Sequence, residues 1–494
     1  MIIPKRCLIV ATIGACLLGG CSLAPIYRAP TVSIQTDAWK DIPWQPAKPS
    51  DDLPHGNWWK IYGDPILDGL ESKIDQDNPD LAAALARYDQ ATAYTNQLHA
   101  GLSPSVDAGA SVTQNRESDN RVLRGSNLPD VYGANTFGIS VNYDLDVWGR
   151  VRNLVAAGLA SAQASAADLE SVRLSLHAQL ADNYVRLRGV EAQAKLLDNT
   201  VNAYARALTL TQNRHAGGVA SGLDVARAET QLSKTRAQAT DIASQRALYE
   251  HAIASLIGQP AMSFSLSVAE KYLSVPQIPT GLPSTLLQRR PDIAAAERRT
   301  AAANATIGVA RAAYYPDFTI GAVYGYQNSG QPGNDKAGAN NAGMGELLTA
   351  PNSFWSLGPG VIFNLFDAGL RDAQVAQARA ALEQRGSEYR ATVLAAFQQV
   401  EDDLSLLKYS HEEELQQEAA VNSATKTLTL AFNRYREGAV NYLEVVTAQT
   451  EALSAQRSAL DLHTQQLRTS VNLVRALGGG WSSTQVTTQR TSTK

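Results

Sequence analysis

Leu208-Thr209-Leu210-Thr211-Gln212-Asn213-Arg214 returns as Leu428-Thr429-Leu430-Ala431-Phe432-Asn433-Arg434, an offset of 220 residues. The match runs on through Gly218/Gly438, Leu223/Leu443, Val225/Val445, Ala228/Ala448 and Thr230/Thr450. The same offset pairs Gly138/Gly358, Val141/Val361, Leu145/Leu365 and Gly149/Gly369. Upstream the offset shortens to 212, pairing Pro79/Pro291, Ala82/Ala294, Pro104/Pro316 and Gly109/Gly321. Eight extra residues therefore enter the second copy between about 323 and 353, where Asn328-Ser329-Gly330-Gln331-Pro332-Gly333-Asn334-Asp335 has the chemistry of a loop. A long fixed offset marks a duplicated structural unit. The chain is one plan written twice.

Proline shows what the plan is. None of the 20 prolines falls between Val131 and Gln259, or after Pro359. The first proline-free block predicts a helix over about 150–213, a break at Gly217-Gly218, and a helix over about 221–257, stopped by Gly258-Gln259-Pro260. The second predicts helices over about 369–435 and 441–477, broken near Gly438 and stopped by Gly478-Gly479-Gly480. Val393, Phe397, Val400, Leu404 and Leu407 step by 4 and 3, and Val446, Leu453, Leu460, Leu467 and Val474 recur every seven residues. These are coiled-coil spacings. A helix of about 64 residues is roughly 95 Å long, more than a compact domain holds, so it is expected in a rod or tube. Shorter helices at about 284–313 and 71–100 complete the arithmetic: the first added to 221–257, and the second to 441–477, each match a long helix in length. Each repeat is then one unbroken helix flanked by two shorter ones stacked end to end, with the Pro-rich stretch 260–283 as a collar.

Between the helices lie alternating segments. Phe137, Ile139, Val141, Tyr143 and Leu145 are apolar while Gly138, Ser140, Asn142 and Asp144 are small or polar; Phe318, Ile320, Ala322, Tyr324 and Tyr326 show the same period. Val106–Val112 is weaker, and Val361, Phe363 and Leu365 partial. Strands are expected at about 105–116, 135–147, 316–327 and 354–366, with Pro359 placed at the start of the fourth. Segments of about ten residues with this alternation suit transmembrane strands, lipid on one side and water on the other.

The N-terminus supplies the compartment. Lys5 and Arg6 precede a short apolar stretch, Leu8–Leu18, and Leu18-Gly19-Gly20-Cys21 resembles a bacterial lipobox. Cleavage before Cys21 removes Cys7 and Cys16, leaving 474 of the 494 residues and one cysteine, acylated by diacylglycerol and an N-acyl chain such as palmitate. No disulfide and no other cofactor is expected. A net charge of −4 without a basic block argues against nucleic acid. A mean hydropathy of −0.20 with no 18-residue apolar run beyond the leader excludes a polytopic helical membrane protein, though not a barrel.

Four strands cannot close a barrel, and an open edge in lipid strands backbone groups at several kcal/mol each. Copies of the chain must therefore share one. A dimer gives eight strands with little room for a channel; a trimer gives twelve above a ring of helices.

Four motifs fit that layout: Trp58-Trp59-Lys60-Ile61-Tyr62-Gly63-Asp64-Pro65-Ile66-Leu67; Gly281-Leu282-Pro283-Ser284 with Leu286-Leu287-Gln288-Arg289-Arg290-Pro291-Asp292-Ile293; Phe366-Asp367-Ala368-Gly369; and Asn433-Arg434-Tyr435, Gly438 and Tyr442-Leu443-Glu444-Val445. Across nearly the whole mature chain they resemble the TolC-like outer-membrane factor family, in its NodT-type lipoprotein branch. The resemblance implies an α+β membrane protein. Four strands per chain complete a homotrimeric 12-stranded barrel, continued by a long periplasmic α-helical barrel with a mixed equatorial collar. The boundaries are then 1–20 signal peptide, 21–63 lipid-anchored extended segment, 64–275 first repeat, 276–480 second repeat and 481–494 disordered tail. It also implies a periplasmic membrane-fusion adaptor, an inner-membrane RND-type transporter, and location in the outer membrane, where Ser22 after Cys21 agrees with sorting. The work would be passive efflux of drugs or other toxic small molecules, with substrate choice left to the transporter.

The turns at about 214–224 and 434–444 lie farthest from the strands and form the expected periplasmic aperture, with Gly217, Gly218 and Gly438 at the tips. Asp224 and Glu444 are repeat mates, and in a trimer would make a ring of six carboxylates that attracts cations. Ser221 with Asp224 and Asn441 with Glu444 also read as helix N-caps, and Arg214 and Arg434 as cations at helix C-termini. In the family a tyrosine and an arginine of the second turn lock the aperture against the first hairpin. The tyrosine matches Tyr435 and its acidic partner Asp224, but the arginine position holds Val440 and a second acidic position Thr447. The expected lock is Tyr435 to Asp224, with charge from Arg434 or Arg436.

No catalytic motif is present: no His-x-x-x-His, no phosphate-binding Gly-rich loop, no Gly-x-Ser-x-Gly, and His411-Glu412-Glu413-Glu414 reads as a solvated helix face rather than a metal site. The competing readings are a type I protein-secretion duct, a lipid-anchored periplasmic adaptor and a lipid-anchored scaffold. Adaptors carry one hairpin between β-rich halves; here there are two, each joined to paired strands.

Overall fold

A computed structural model describes residues 22–30, 57–118, 131–268, 272–278, 289–330 and 347–479. The lipobox with Cys21, the motif residues 281–288, the insertion loop at 331–346 and the tail from 481 lie outside these. The described elements are α1 (Pro65–Asp77), α2 (Pro79–Ala100), β1 (Ser105–Arg116), β2 (Val131–Asp144), α3 (Arg150–Ala216), α4 (Gly222–Leu256), α5 (Pro291–Ala312), β3 (Asp317–Gly330), β4 (Ser353–Ile362), α6 (Leu370–Arg436) and α7 (Tyr442–Ala476). The two long helices have 67 residues each, about 100 Å of continuous helix. Among the described residues no helix is long and apolar enough to cross a membrane.

The elements fall into two compact units that cut across the duplication. One takes Asp89–Ala162 and Arg298–Ser387 with the chain up to Ala29; the other takes Pro30–Tyr88, Gln163–Glu297 and Glu388–Lys494.

The first unit holds the sheet, antiparallel in the order β1-β2-β3-β4. Cross-strand partners share a face, and the register sorts the side chains by polarity. On one face Val106 opposes Val141, Ala108 opposes Ile139, Ile139 opposes Tyr324, and Tyr324 opposes Trp355. On the other, Asp107 opposes Ser140, Asn142 opposes Gly321, and Gly321 opposes Gly358. β2 stops at Asp144, earlier than expected, because Asp146 turns back at φ 45° and accepts from the Val151 and Arg152 amides at 2.8 and 2.9 Å, starting α3. Pro359 lies well inside β4, opposite Ile320, and not at its start. β4 is an edge of the chain's own sheet. It also ends at Ile362 rather than near 366, because its partner β3 begins at Asp317, and leaves Phe363, Leu365 and Phe366 exposed. The segment 22–30 lies against the helices of this unit: Ser22 donates to Asn153 at 3.0 Å, and Asn304 and Arg311 donate to the carbonyls of Pro25 and Leu23 at 2.8 and 3.2 Å.

The second unit is helical, and its largest core gathers Trp58, Trp59, Tyr62, Leu67 and Ile74 onto Leu180, Tyr184, Ile253 and Val471. The Trp-Trp motif is thus part of this core, not of an extended leader. Asp64 caps α1, accepting from the Ile66 amide at 2.8 Å, and also accepts from the Tyr184 hydroxyl. The heptad positions Leu453 and Leu467 are buried, Leu453 against Val190, Leu197 and Ile242.

The stacking of short helices needs correction. Asn78 donates its amide to the Leu256 carbonyl at 2.7 Å, so α2 continues α4; Arg290 donates to the Ala476 carbonyl at 3.1 Å, so α5 continues α7. The partners come from within each repeat, and not, as length matching suggested, from 221–257 with 284–313 and 441–477 with 71–100. Asn78 and Arg290 are repeat mates, each standing before the proline that opens the continuing helix. Asn78 also splits the expected 71–100 helix in two, accepting from the Leu81 amide at 2.9 Å as the cap of α2.

Candidate gate at the helix turns

The site is built by two matched hairpin turns, α3–α4 and α6–α7, both in the second unit. Each long helix ends with a glycine in the left-handed region, Gly218 at φ 75° and Gly438 at φ 82°. The next amide folds back onto the arginine carbonyl five residues upstream: Val219 to Arg214 at 2.8 Å and Ala439 to Arg434 at 2.9 Å. Gly217 keeps a negative φ and serves only as a small residue.

Beyond the turns the copies diverge. Ser221 and Asp224 form a reciprocal capping box, with the Asp224 amide donating to Ser221 Oγ at 3.2 Å and the Ser221 amide to Asp224 Oδ2 at 3.3 Å. Arg227 adds an ion pair at 3.6 Å, and Asp224 is only 9% exposed. Glu444 instead keeps 51% of its side chain exposed and faces Arg434 at 3.5 Å, while Asn441 alone caps α7, taking the Leu443 amide at 3.1 Å. Within one chain the two carboxylates are therefore not equivalent. Ser221→Ala and Asp224→Ala are each expected to cost about 1 kcal/mol. Faster amide exchange confined to the first turn of α4 is the measurement that checks it.

Tyr435 is 3% exposed and does not meet Asp224. Its hydroxyl donates to Thr211 Oγ1 at 3.4 Å, its ring meets Tyr442 edge-on at 5.1 Å, and the Arg214 guanidinium lies 4.9 Å from its centroid. Arg214 Nη1 donates to the Arg436 carbonyl at 2.9 Å. The expected Tyr435–Asp224 lock is replaced by a buried contact between hairpins, because the capping box already holds the Asp224 carboxylate. Arg436 contributes its backbone to this contact. Arg434 serves its own hairpin. Val440, at the family's arginine position, packs against the cluster of Ala228, Tyr435, Tyr442 and Val445, and Thr447 bonds its own helix at 3.0 Å. Burial pushes the Tyr442 hydroxyl up to about 12.

Thr211, Tyr442 and the bridging role of Arg214 escaped the sequence reading, though a signal existed. Inside the repeated motif, Thr211 faces Ala431 and His215 faces Tyr435 at the same offset. The duplicated motif differs where one copy makes the bridge and the other closes its own turn, His215 bonding the Ala220 carbonyl at 2.8 Å. Among the described residues no group of three His, Cys, Asp or Glu side chains is placed to hold a metal.

Two long helices, spliced short helices and a four-stranded sheet with one apolar face define a channel of the TolC-like build, mostly helical with a small sheet. The chain belongs to the outer membrane efflux protein family, whose profile matches residues 70–259 and 282–479. It is similar to the antibiotic efflux pump outer membrane protein ArpC of Pseudomonas putida, 32% identical over 488 residues and 96% of both chains. The pyoverdine export outer membrane protein OpmQ of Pseudomonas aeruginosa is 31% identical over 481 residues, 96% of this chain and 97% of the relative. Among solved structures, the outer membrane protein VceC of Vibrio cholerae aligns with a TM-score of 0.78 at 27% identity, over 86% of this chain and 99% of that one. A membrane protein from Pseudomonas aeruginosa aligns at 0.84 and 29%, over 93% and 98%. The chain is an outer-membrane efflux channel with a large periplasmic extension, and not an enzyme.

Proposed function

We propose that three copies, anchored by lipid on Cys21, close their sheets into one 12-stranded barrel and conduct small molecules passively outward. A periplasmic adaptor and an inner-membrane transporter deliver the cargo and open the aperture at the helix turns. The observation that carries this reading is the sheet. Its apolar face, with Trp355 75% and Leu357 69% exposed, ends in two open edges, β1 and β4, that only further copies of the same sheet satisfy in lipid. Relatives of similar identity are named for antibiotic efflux, toluene efflux and pyoverdine export, which supports a tunnel that leaves substrate choice to its transporter.

With Asp224 turned into its cap, three Glu444 carboxylates, one per copy, supply the charge at the aperture. The lipidated protein is expected to run as a trimer by native mass spectrometry and to form cation-preferring pores in planar bilayers, a preference that Glu444→Gln lowers. A monomeric mass, or membranes that stay sealed after adaptor is added, would overturn the reading.

A further inference from the structure

We propose that Arg214 is the brace holding the two hairpins of one subunit together at the aperture, with the Tyr435 ring as its seat. This rests on the gating reading above and names the residue that resists opening.

Arg214 leaves the last turn of α3 and reaches the other repeat. One guanidinium nitrogen donates to the Arg436 carbonyl at 2.9 Å, and the guanidinium lies 4.9 Å from the centre of the Tyr435 ring. Its Nε is buried without a hydrogen-bond partner, so the group is committed to the ring and to that one carbonyl. A cation over an aromatic ring gains from the ring's negative face, and arginine's flat group stacks where lysine's does not. The carbonyl it takes belongs to the last turn of α6, where a helix leaves carbonyls without internal partners and the helix dipole is negative. The bridge thus satisfies an acceptor of one hairpin with a donor of the other. Gly438 lies beside it, and a Cβ there would stand at ordinary contact distance, 3.6 Å, from Arg214 Nη2.

The repeat provides an internal control. Arg434, the mate of Arg214, has the same position in its helix, yet pairs with Glu444 of its own hairpin at 3.5 Å. The copies differ in what stands nearby: Tyr435 where the first copy has His215. Only the arginine that finds an aromatic seat on the other hairpin bridges the two. Tyr435 packs against the Tyr442 ring of its own hairpin, and its hydroxyl bonds Thr211 of α3, a second link between the hairpins beside the brace. Opening the aperture by parting the hairpins must first lift Arg214 from Tyr435.

The test uses full-length lipidated protein in nanodiscs and planar bilayers. Spin labels at Val219 and Glu437, one on each turn, report the spacing of the hairpins, and single-channel conductance reports the aperture. In Arg214→Ala the label distance is expected to lengthen and broaden, with the open population rising roughly tenfold or more, as loss of a charge-assisted hydrogen bond implies. Arg214→Lys keeps the charge without the flat group and is expected to lie between. If Arg214→Ala does not assemble, Arg214→Gln, which keeps an amide donor, takes its place. Unchanged label distances in assembled variants would overturn the brace, whatever the conductance does. Lengthened distances with unchanged conductance would uphold the brace and instead sink the reading of the turns as the gate.

Discussion

Gly478→Ala is expected to leave almost no assembled channel in the membrane, and Gly258→Ala to do the same. Both glycines are left-handed, at φ 91° and 69°, and each stands where another backbone passes. A Cβ on Gly478 would lie 2.2 Å from the Arg289 carbonyl oxygen, and one on Gly258 2.2 Å from that of Asp77. These carbonyls precede Arg290 and Asn78, whose side chains bond the ends of α7 and α4. An added methyl therefore wedges open the splice on which each continuous column depends. The left-handed backbone alone costs about 1–2 kcal/mol. Relieving the overlap must move a helix start, which breaks the splice bond, about 1–3 kcal/mol more where the donor is charged. Gly63 separates the two effects: it is left-handed at φ 63° but has nothing within 4 Å. Gly63→Ala is expected to destabilise the protein modestly, on the order of 1 kcal/mol. The check is the yield of assembled protein from the membrane, with thermal melting of what assembles. Gly478→Ala assembling and melting like Gly63→Ala would refute the splice argument.

The same splice shows what a single sequence carries. Helix extents were legible because long proline-free stretches and terminal glycines act locally, and the observed ends of α3, α4, α6 and α7 fall within three residues of expectation. The strands were legible through their period of two. Which short helix continues which was not, because the deciding contacts join Asn78 to Leu256 and Arg290 to Ala476, far apart in the chain, and lengths fit either pairing. The gate follows the same rule. Turn glycines and caps were readable from neighbours in sequence. The assignment of Tyr435 to Asp224 came from a resemblance and failed because Ser221, three residues away, already occupies that carboxylate. The ring face that Arg214 uses depends on how two hairpins lie side by side, for which only the departure of Tyr435 from its repeat mate gave a sign. Duplication makes such departures informative: where two copies agree they describe the fold, and where they differ inside an otherwise matching motif they mark a residue with separate work.

His177→Ala is expected to destabilise the helical core by about 3–5 kcal/mol near neutral pH. His177 on α3 lies under the Trp59 ring, stacked at 4.5 Å, and its Nδ1 is 2.7 Å from Glu71 Oε2 on α1. Nε2 lies 3.6 Å from Asp75, which Arg173 also pairs at 3.1 Å, and Asp68 adds a further carboxylate on the same helix. Burial raises Glu71 to about 7, partly countered by its bond to His177. Burial also opposes charge on His177, but hydrogen bonds to Asp75 and Glu71 outweigh it and keep the ring protonated up to about 9. Both folded-state values stand above their unfolded ones, so both contribute stability at low pH and lose it as pH rises. For His177 the contribution is complete below about 6.5 and gone above about 9; for Glu71 it is complete below about 4.5 and gone above about 7. Asp75 is held low by its bond to His177 and acts in the opposite sense, withdrawing stability only below the ordinary aspartate range. The melting temperature of the protein should therefore fall steadily from about pH 5 to pH 9. Removing His177 leaves the buried Glu71 carboxyl without its partner. Glu71→Gln removes that charge without changing shape, and is expected to flatten the slope between pH 5 and 7 and to raise the melting temperature at neutral pH. A melting temperature that climbs from pH 6 to 9 would show that the pair does not set the pH response.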